Sequence, residues 1–228
     1  MKTLYTAIGR FERRTGENGK YPVIIINKKE YTVDIPKMII WTCCNWRILE
    51  PAQISEMYNN MASSAGADEN IDCENYVKRL VLRGLIVSGI GETGADALYD
   101  LLSSLYIIPV TSSRFVKIAA FLKFILINKL PLKKAKMVFK DEKLSGKEKR
   151  VIDLAKQTGL STAELITCIE NNVYDLSNHD KVMDAVYTDD YTTCDNLPYY
   201  AKLFRQQKPV LETVANLYLR KLIIFERI

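Results

Sequence analysis

Asn75-Tyr76-Val77-Lys78-Arg79-Leu80-Val81-Leu82-Arg83-Gly84-Leu85-Ile86-Val87-Ser88-Gly89 is the stretch on which the reading of this chain turns. Tyr76, Val77, Leu80 and Val81 recur at helical spacing and form an apolar stripe that continues to Leu85. Asn75, Lys78, Arg79 and Arg83 fall on the opposite face. Asp72 is placed to cap the helix, Glu74 adds an acid to its first turn, and Gly84 is suited to end it. The β-branched residues that follow read as a strand. A basic helix, braced from behind by hydrocarbon, is therefore expected to run straight into a β-strand.

Working outward, residues 21–26 and 31–35 read as a β-hairpin around a polar turn at 27–30. Two strands alone are marginal, so the hairpin has to lie on the helices that follow. Pro36 opens a helix over 37–49 with Ile39, Ile40, Cys43, Trp46 and Leu49 inward, and Pro51 opens another over 52–62. Past the central strand, Gly89-Ile90-Gly91-Glu92-Thr93-Gly94 leads into a leucine-rich helix over 95–105, and 106–109 is a last strand or an extended exit. Beyond Arg114 the periodicity predicts helices throughout, over 115–128, 132–139, 145–157, 161–171, 181–187, 197–204 and 209–225. No repeat with a period of roughly 20 to 50 residues is visible, so a solenoid is not indicated.

Helix, helix, basic helix, Gly-Leu-Ile strand, glycine turn, helix resembles the winged-helix transcriptional regulators, in particular MarR-like and PadR-like repressors. Tyr76-Val77-Lys78-Arg79-Leu80 with Arg83-Gly84-Leu85-Ile86 carries the likeness, followed by Thr93 and Gly94 ahead of the leucine-rich helix. The resemblance covers the N-terminal half only. It implies a fold that is mainly α with a small β component: an N-terminal β-hairpin extension over 1–35, a winged helix-turn-helix domain over 36–112, and an α-helical domain over 113–228 that dimerises or receives a signal. It also implies that Asn75 pairs with an adenine edge, that Lys78 and Arg79 reach guanine or phosphate, and that Arg83 touches the DNA backbone. Glu74 and the short Gly89–Gly91 turn depart from the repressor pattern of a longer basic wing.

Charge is unevenly distributed along the chain. Residues 114–150 hold twelve Lys/Arg against three Asp/Glu, whereas residues 151–200 hold two against nine, so a basic middle adjoins an acidic segment. Five cysteines, Cys43, Cys44, Cys73, Cys168 and Cys194, cannot all pair and carry no metal-knuckle spacing. They fit a reducing cytoplasm, and the first ten residues lack the apolar run of a secretory signal. The most apolar segment, 115–130, is interrupted by Lys117, Lys123 and Lys129, which excludes a membrane span.

Other motifs have structural explanations. Residues 151–166 resemble a second helix-turn-helix, but Glu164 and Glu170 on its second helix would repel phosphate, which favours a structural hairpin. Gly89 to Gly94 is formally GxGxxG, yet Glu92 would put a carboxylate where a pyrophosphate sits, and no alternating parallel strands accompany it. His179, the only histidine, stands beside aspartates at a helix start, and Trp41 and Trp46 suit core packing. The apolar last helix either closes a core or forms a dimer seam. With no nucleophile, base and orienter together, an enzyme is not expected, nor is a cofactor or metal. The expectation is a cytoplasmic DNA-binding regulator, a homodimer on double-stranded DNA. The alternative is a winged-helix protein–protein interaction module without nucleic acid.

Overall fold

The computed structural model describes residues 1–16, 19–68, 71–110 and 143–227. β1 (Lys2–Ala7) runs antiparallel to β5 (Ile86–Gly91), with Tyr5 opposite Ser88, and on its other edge Tyr5 bridges to Leu49. Between these strands lie α1 (Ile35–Cys44), α2 (Pro51–Ala65) and α3 (Cys73–Leu82). α4 (Gly94–Leu102) packs across β5 and leads to β6 (Tyr106–Pro109). β6 runs antiparallel to β8 (Ile223–Glu226), with Ile107 opposite Phe225, and its other edge pairs Ile107 with Leu160 of β7 (Leu160–Ser161). α5 (Gly146–Gln157), α6 (Thr162–Glu170), α7 (His179–Val186), α8 (Leu197–Ala201) and α9 (Gln207–Leu219) complete this half.

The two halves repeat one order: a central strand, a helix, a short edge contact, two packed helices, and the opposite edge strand. Their registers agree residue by residue. Arg83 and Arg220 are as far apart as Ser88 and Phe225, the residues facing the equivalent positions Tyr5 and Ile107. Both third helices end in the same Schellman turn. Leu85 N–H donates to the Leu80 carbonyl at 2.9 Å and Gly84 N–H to Val81 at 2.9 Å, and Leu222 and Lys221 do the same to Leu217 and Tyr218 at 2.9 and 2.8 Å. Gly84 and Lys221 both hold the left-handed conformation such a turn requires. The entry to the second helix repeats as well: a capping box joins Glu50 and Gln53 after Leu49, and Ser161 and Glu164 after Leu160.

A three-stranded sheet, β2 (Arg10–Gly16), β3 (Gly19–Ile26) and β4 (Lys29–Tyr31), is inserted between β1 and α1. Asn27 and Lys28, both with positive φ, turn β3 into β4. A hairpin is thus present, but its turn tightens to 27–28, its second strand is Lys29–Tyr31 rather than 31–35, and β2 extends it to three strands. Arg14 of β2 meets Glu12 at 2.9 Å and Glu30 of β4 at 2.5 Å, and Arg10 meets Glu12 at 3.0 Å.

The architecture is mixed, with more helix than strand. Several boundaries differ from expectation. The region 113–228 is not wholly α-helical, because α9 stops at Leu219 and residues 223–226 form a strand where the periodicity predicts a helix to 225. β6, assigned from sequence to the N-terminal module, pairs with β7 and β8 instead, and residues 1–35 contribute the central strand of the first repeat rather than only an extension. α1 ends at Cys44, and Trp46 turns back with φ 55. The predicted helices over 115–128 and 132–139, and most of the basic segment, lie outside the described residues.

A single apolar core runs through both repeats. Its polar pin is Tyr218, 1% exposed on α9. Its hydroxyl accepts from the Trp46 N–H at 2.9 Å, donates to the Ala7 carbonyl at 3.1 Å and shares a hydrogen bond with the Thr6 hydroxyl at 2.8 Å. Gly9 N–H to Phe225 carbonyl at 2.8 Å and Trp46 Nε1 to Ile223 carbonyl at 3.3 Å run alongside. The apolar side of α9, with Val210, Val214 and Leu217 buried, closes this core and leaves no seam of that kind for a second copy. Tyr218→Phe is expected to destabilise the chain by about 1–3 kcal/mol, because Trp46 N–H loses its acceptor in a dry site; urea unfolding measures this.

Glu148 and Arg220 form the partly buried ion pair of the second repeat. Hydrogen bonding from the Ser145 backbone holds the Glu148 carboxyl below its ordinary 4.5, with Arg220 adding to the effect against burial. A depressed carboxyl contributes stability above its unfolded value and loses it as pH falls through the folded one. Stability should therefore drop on acidification below about pH 5, and Glu148→Gln should flatten that limb in pH-dependent thermal melts.

Candidate nucleic-acid interface

The sequence of α3 dictates which side it shows. Asp72 caps it by accepting from Asn75 N–H at 3.0 Å, Val77 and Leu80 are buried, and Tyr76 and Val81 are half-buried against the core. Asn75, Lys78, Arg79 and Arg83 are all exposed, as is Glu74. The predicted residues therefore share one solvent face.

Their contacts refine what each can do. Lys78 Nζ lies 2.7 Å from Glu74 Oε1, and that hydrogen bond raises the ammonium's pKa. Both side chains are more than half exposed, so the pair is screened by water and is readily exchanged for a phosphate. Arg79 Nε donates to Asn75 Oδ1 at 3.1 Å, with its guanidinium 5.9 Å from the Tyr76 ring centroid, and has no acidic partner among the described residues. Asn75 Oδ1 keeps a second lone pair, so its amide can still offer an acceptor and its N–H donors to a base edge while Arg79 stays in place. Arg83 donates through Nη2 to the Thr32 carbonyl at 3.1 Å, tying the C-terminal end of α3 to the segment between β4 and α1.

Sequence reasoning missed Leu82. It is 86% exposed, and at roughly 100° per residue it falls between Lys78 and Arg79 on the same face. Its place in an apolar run, Leu80-Val81-Leu82, disguised it, although helical spacing separates it from the inward stripe. The face is therefore cationic with an apolar centre.

The equivalent helix of the second repeat carries no such face. α9 exposes Lys208, Glu212, Asn216 and Leu219, mixed in charge. The second helix-turn-helix signature forms α5 and α6, but residues 162–168 of α6 are all buried, so it is a structural hairpin. Glu164 within it accepts from Ser161 N–H at 2.6 Å and from the Tyr187 hydroxyl at 2.8 Å.

The GxGxxG segment has a packing explanation. A Cβ on Gly89 would lie 2.2 Å from Leu101 N, and one on Gly91 would lie 2.3 Å from Ala97 N. These glycines let β5 touch the backbone of α4, and β5 pairs antiparallel to β1 rather than within a parallel sheet. β5 then turns directly into α4 through Glu92 and Thr93, so no wing hairpin follows it. His179 is exposed at the first turn of α7, capped by Asn178. Trp41 is buried and donates to the Ile8 carbonyl at 3.2 Å. Among the described residues no group of His, Cys, Asp and Glu could hold a metal ion, and no helix is long and apolar enough to cross a membrane.

No protein-family model, curated protein or solved structure matches the chain. Gly89→Ala should cost about 1–3 kcal/mol through backbone overlap with α4, whereas Gly94→Ala, where a Cβ meets open space, should be nearly neutral; paired denaturation curves check the contrast.

Proposed function

We propose that this chain is a cytoplasmic DNA-binding regulator in which α3 lies in the major groove of a duplex. In this reading each repeat is a variant of the winged helix-turn-helix unit that lacks the wing hairpin and takes its central strand from the N-terminal side: β1 in the first, β6 in the second. The observation that carries it is the α3 face, where Asn75, Lys78, Arg79 and Arg83 project together from a helix whose back is clamped by Val77 and Leu80. A helix about 10 to 12 Å across fits the groove, and solvent-exposed cations on its outer face can meet phosphates and base edges there. The sequence between β6 and α5 supports the same partner, since residues 114–142 hold eight Lys/Arg against two Asp/Glu. Lys78 and Arg79 contact phosphate or guanine, Asn75 reads a base, and Arg83 steadies the base of the helix. A homodimer on a two-fold site belongs to this reading, with an interface other than the buried side of α9.

A second reading, a protein-docking module, is favoured by two specific observations. Leu82 sits bare at the centre of the face, and β5 has no wing. An apolar centre with a charged rim is what a protein partner buries.

Lys78→Ala with Arg79→Ala should weaken binding to duplex DNA at least tenfold and lower the slope of log affinity against log salt by roughly 0.9 for each phosphate that is no longer neutralised. Fluorescence anisotropy across a salt series measures both. Absence of any duplex binding at low salt selects the docking reading, and unchanged binding by the double variant removes α3 as the reading helix.

A further inference from the structure

Arg150 on α5 is incompletely satisfied. Its guanidinium stacks 4.2 Å from the Tyr174 ring centroid and donates through Nη2 to the Val173 carbonyl at 3.3 Å, but its Nε is buried without a hydrogen-bond partner. Folded proteins rarely leave a buried donor unpaired, because it has given up water for nothing. The same side chain lines a cavity of about 140 Å³ between α5, the end of α6 and the first turn of α9. Lys147, one turn earlier on α5, lines it too, and among the described residues no Asp or Glu does. Glu170 at the end of α6 is already engaged, accepting from Gln206 N–H at 2.9 Å and facing Arg205 at 4.0 Å. Val151, Ile169, Pro209 and Val210 contribute hydrocarbon to the rest of the wall, and Asn172, Gln206 and Thr213 are its polar members.

Two cationic side chains on a cavity that also has apolar walls suit an anion that has a hydrocarbon body. A dry cavity of about 150 Å³ accommodates a benzene-sized molecule, so this one has room for about six or seven non-hydrogen atoms. We propose that the cavity binds a small aliphatic monocarboxylate, its carboxylate on Arg150 and Lys147 and its hydrocarbon against Val151, Ile169 and Val210. An ion such as phosphate has no hydrocarbon to bury against Val151, Ile169 and Val210 and so forgoes that part of the binding. The site lies in the second repeat and does not depend on α3 contacting DNA.

Isothermal titration of the full chain with isovalerate tests it. Saturable binding of one isovalerate per chain is expected at millimolar concentrations, at least tenfold weaker for Lys147→Gln and Arg150→Gln, and at least tenfold weaker for neutral isovaleramide and for inorganic phosphate. Circular dichroism checks the fold of each variant; should Arg150→Gln fail to fold, Lys147→Gln, altered only at the rim of the cavity, carries the test. No saturable binding of isovalerate, equal binding of isovaleramide or phosphate, or unchanged affinity in Lys147→Gln would overturn the proposal.

Discussion

The hydroxyl of Tyr218 is where the two ends of this chain are held together. It contacts β1 through Thr6 and Ala7, the turn after α1 through Trp46, and it rises from α9, which leads into the last strand. Burial pushes its pKa up to about 12, so it remains a neutral donor and acceptor throughout the physiological range. Surrounding hydrocarbon makes each of those hydrogen bonds hard to replace with water. Because β1 is also the strand on which β5 is built, the position of α3 depends on this junction: fix β1, and the Schellman turn at Gly84 fixes how α3 approaches the sheet.

That dependence explains how a chain with a modest sheet content presents a rigid helix face. The central strand of each repeat comes from before its helices, so a wing is not needed to complete the sheet. The exposed face of α3 is left clear of a returning hairpin, and Arg83 braces it from the side against Thr32. Divergence between the repeats then assigns their roles. Where α3 shows Lys78 and Arg79, α9 turns Ala215 inward and shows Asn216, so the first repeat carries a cationic surface and the second supplies core and a small cavity.

The basic helix, its inward stripe and its glycine stop were legible because they are local: period, cap and turn lie within one short stretch, 72–86. α2, α4, α5 and α6 were legible for the same reason, since Pro51, the Thr93-Gly94 pair and the helical period itself are all local signals. β1 was not, because a short stretch such as Lys2–Ala7 gains its meaning from a partner strand beyond residue 85. β8 was hidden because Ile223, Ile224 and Phe225 extend the apolar periodicity of α9, and Lys221 stands where a glycine would have marked the stop. The repeat itself was visible in principle: Leu80-Val81-Leu82-Arg83-Gly84-Leu85-Ile86 and Leu217-Tyr218-Leu219-Arg220-Lys221-Leu222-Ile223 share their leucines and arginine. Insertions of different length between the matching elements break any constant period, which is why a search for short repeats passes over it. Contacts such as Arg79 with Asn75, and the bare Leu82, depend on rotamers and packing that a periodicity cannot specify.

The most direct test maps amide chemical shifts of the labelled chain while duplex DNA is added at low salt. Shifts concentrated on residues 73–83, with Asn75, Lys78, Arg79 and Leu82 foremost and residues 207–219 unmoved, are the predicted result. A spectrum that does not change, or changes centred on α9, would contradict the account.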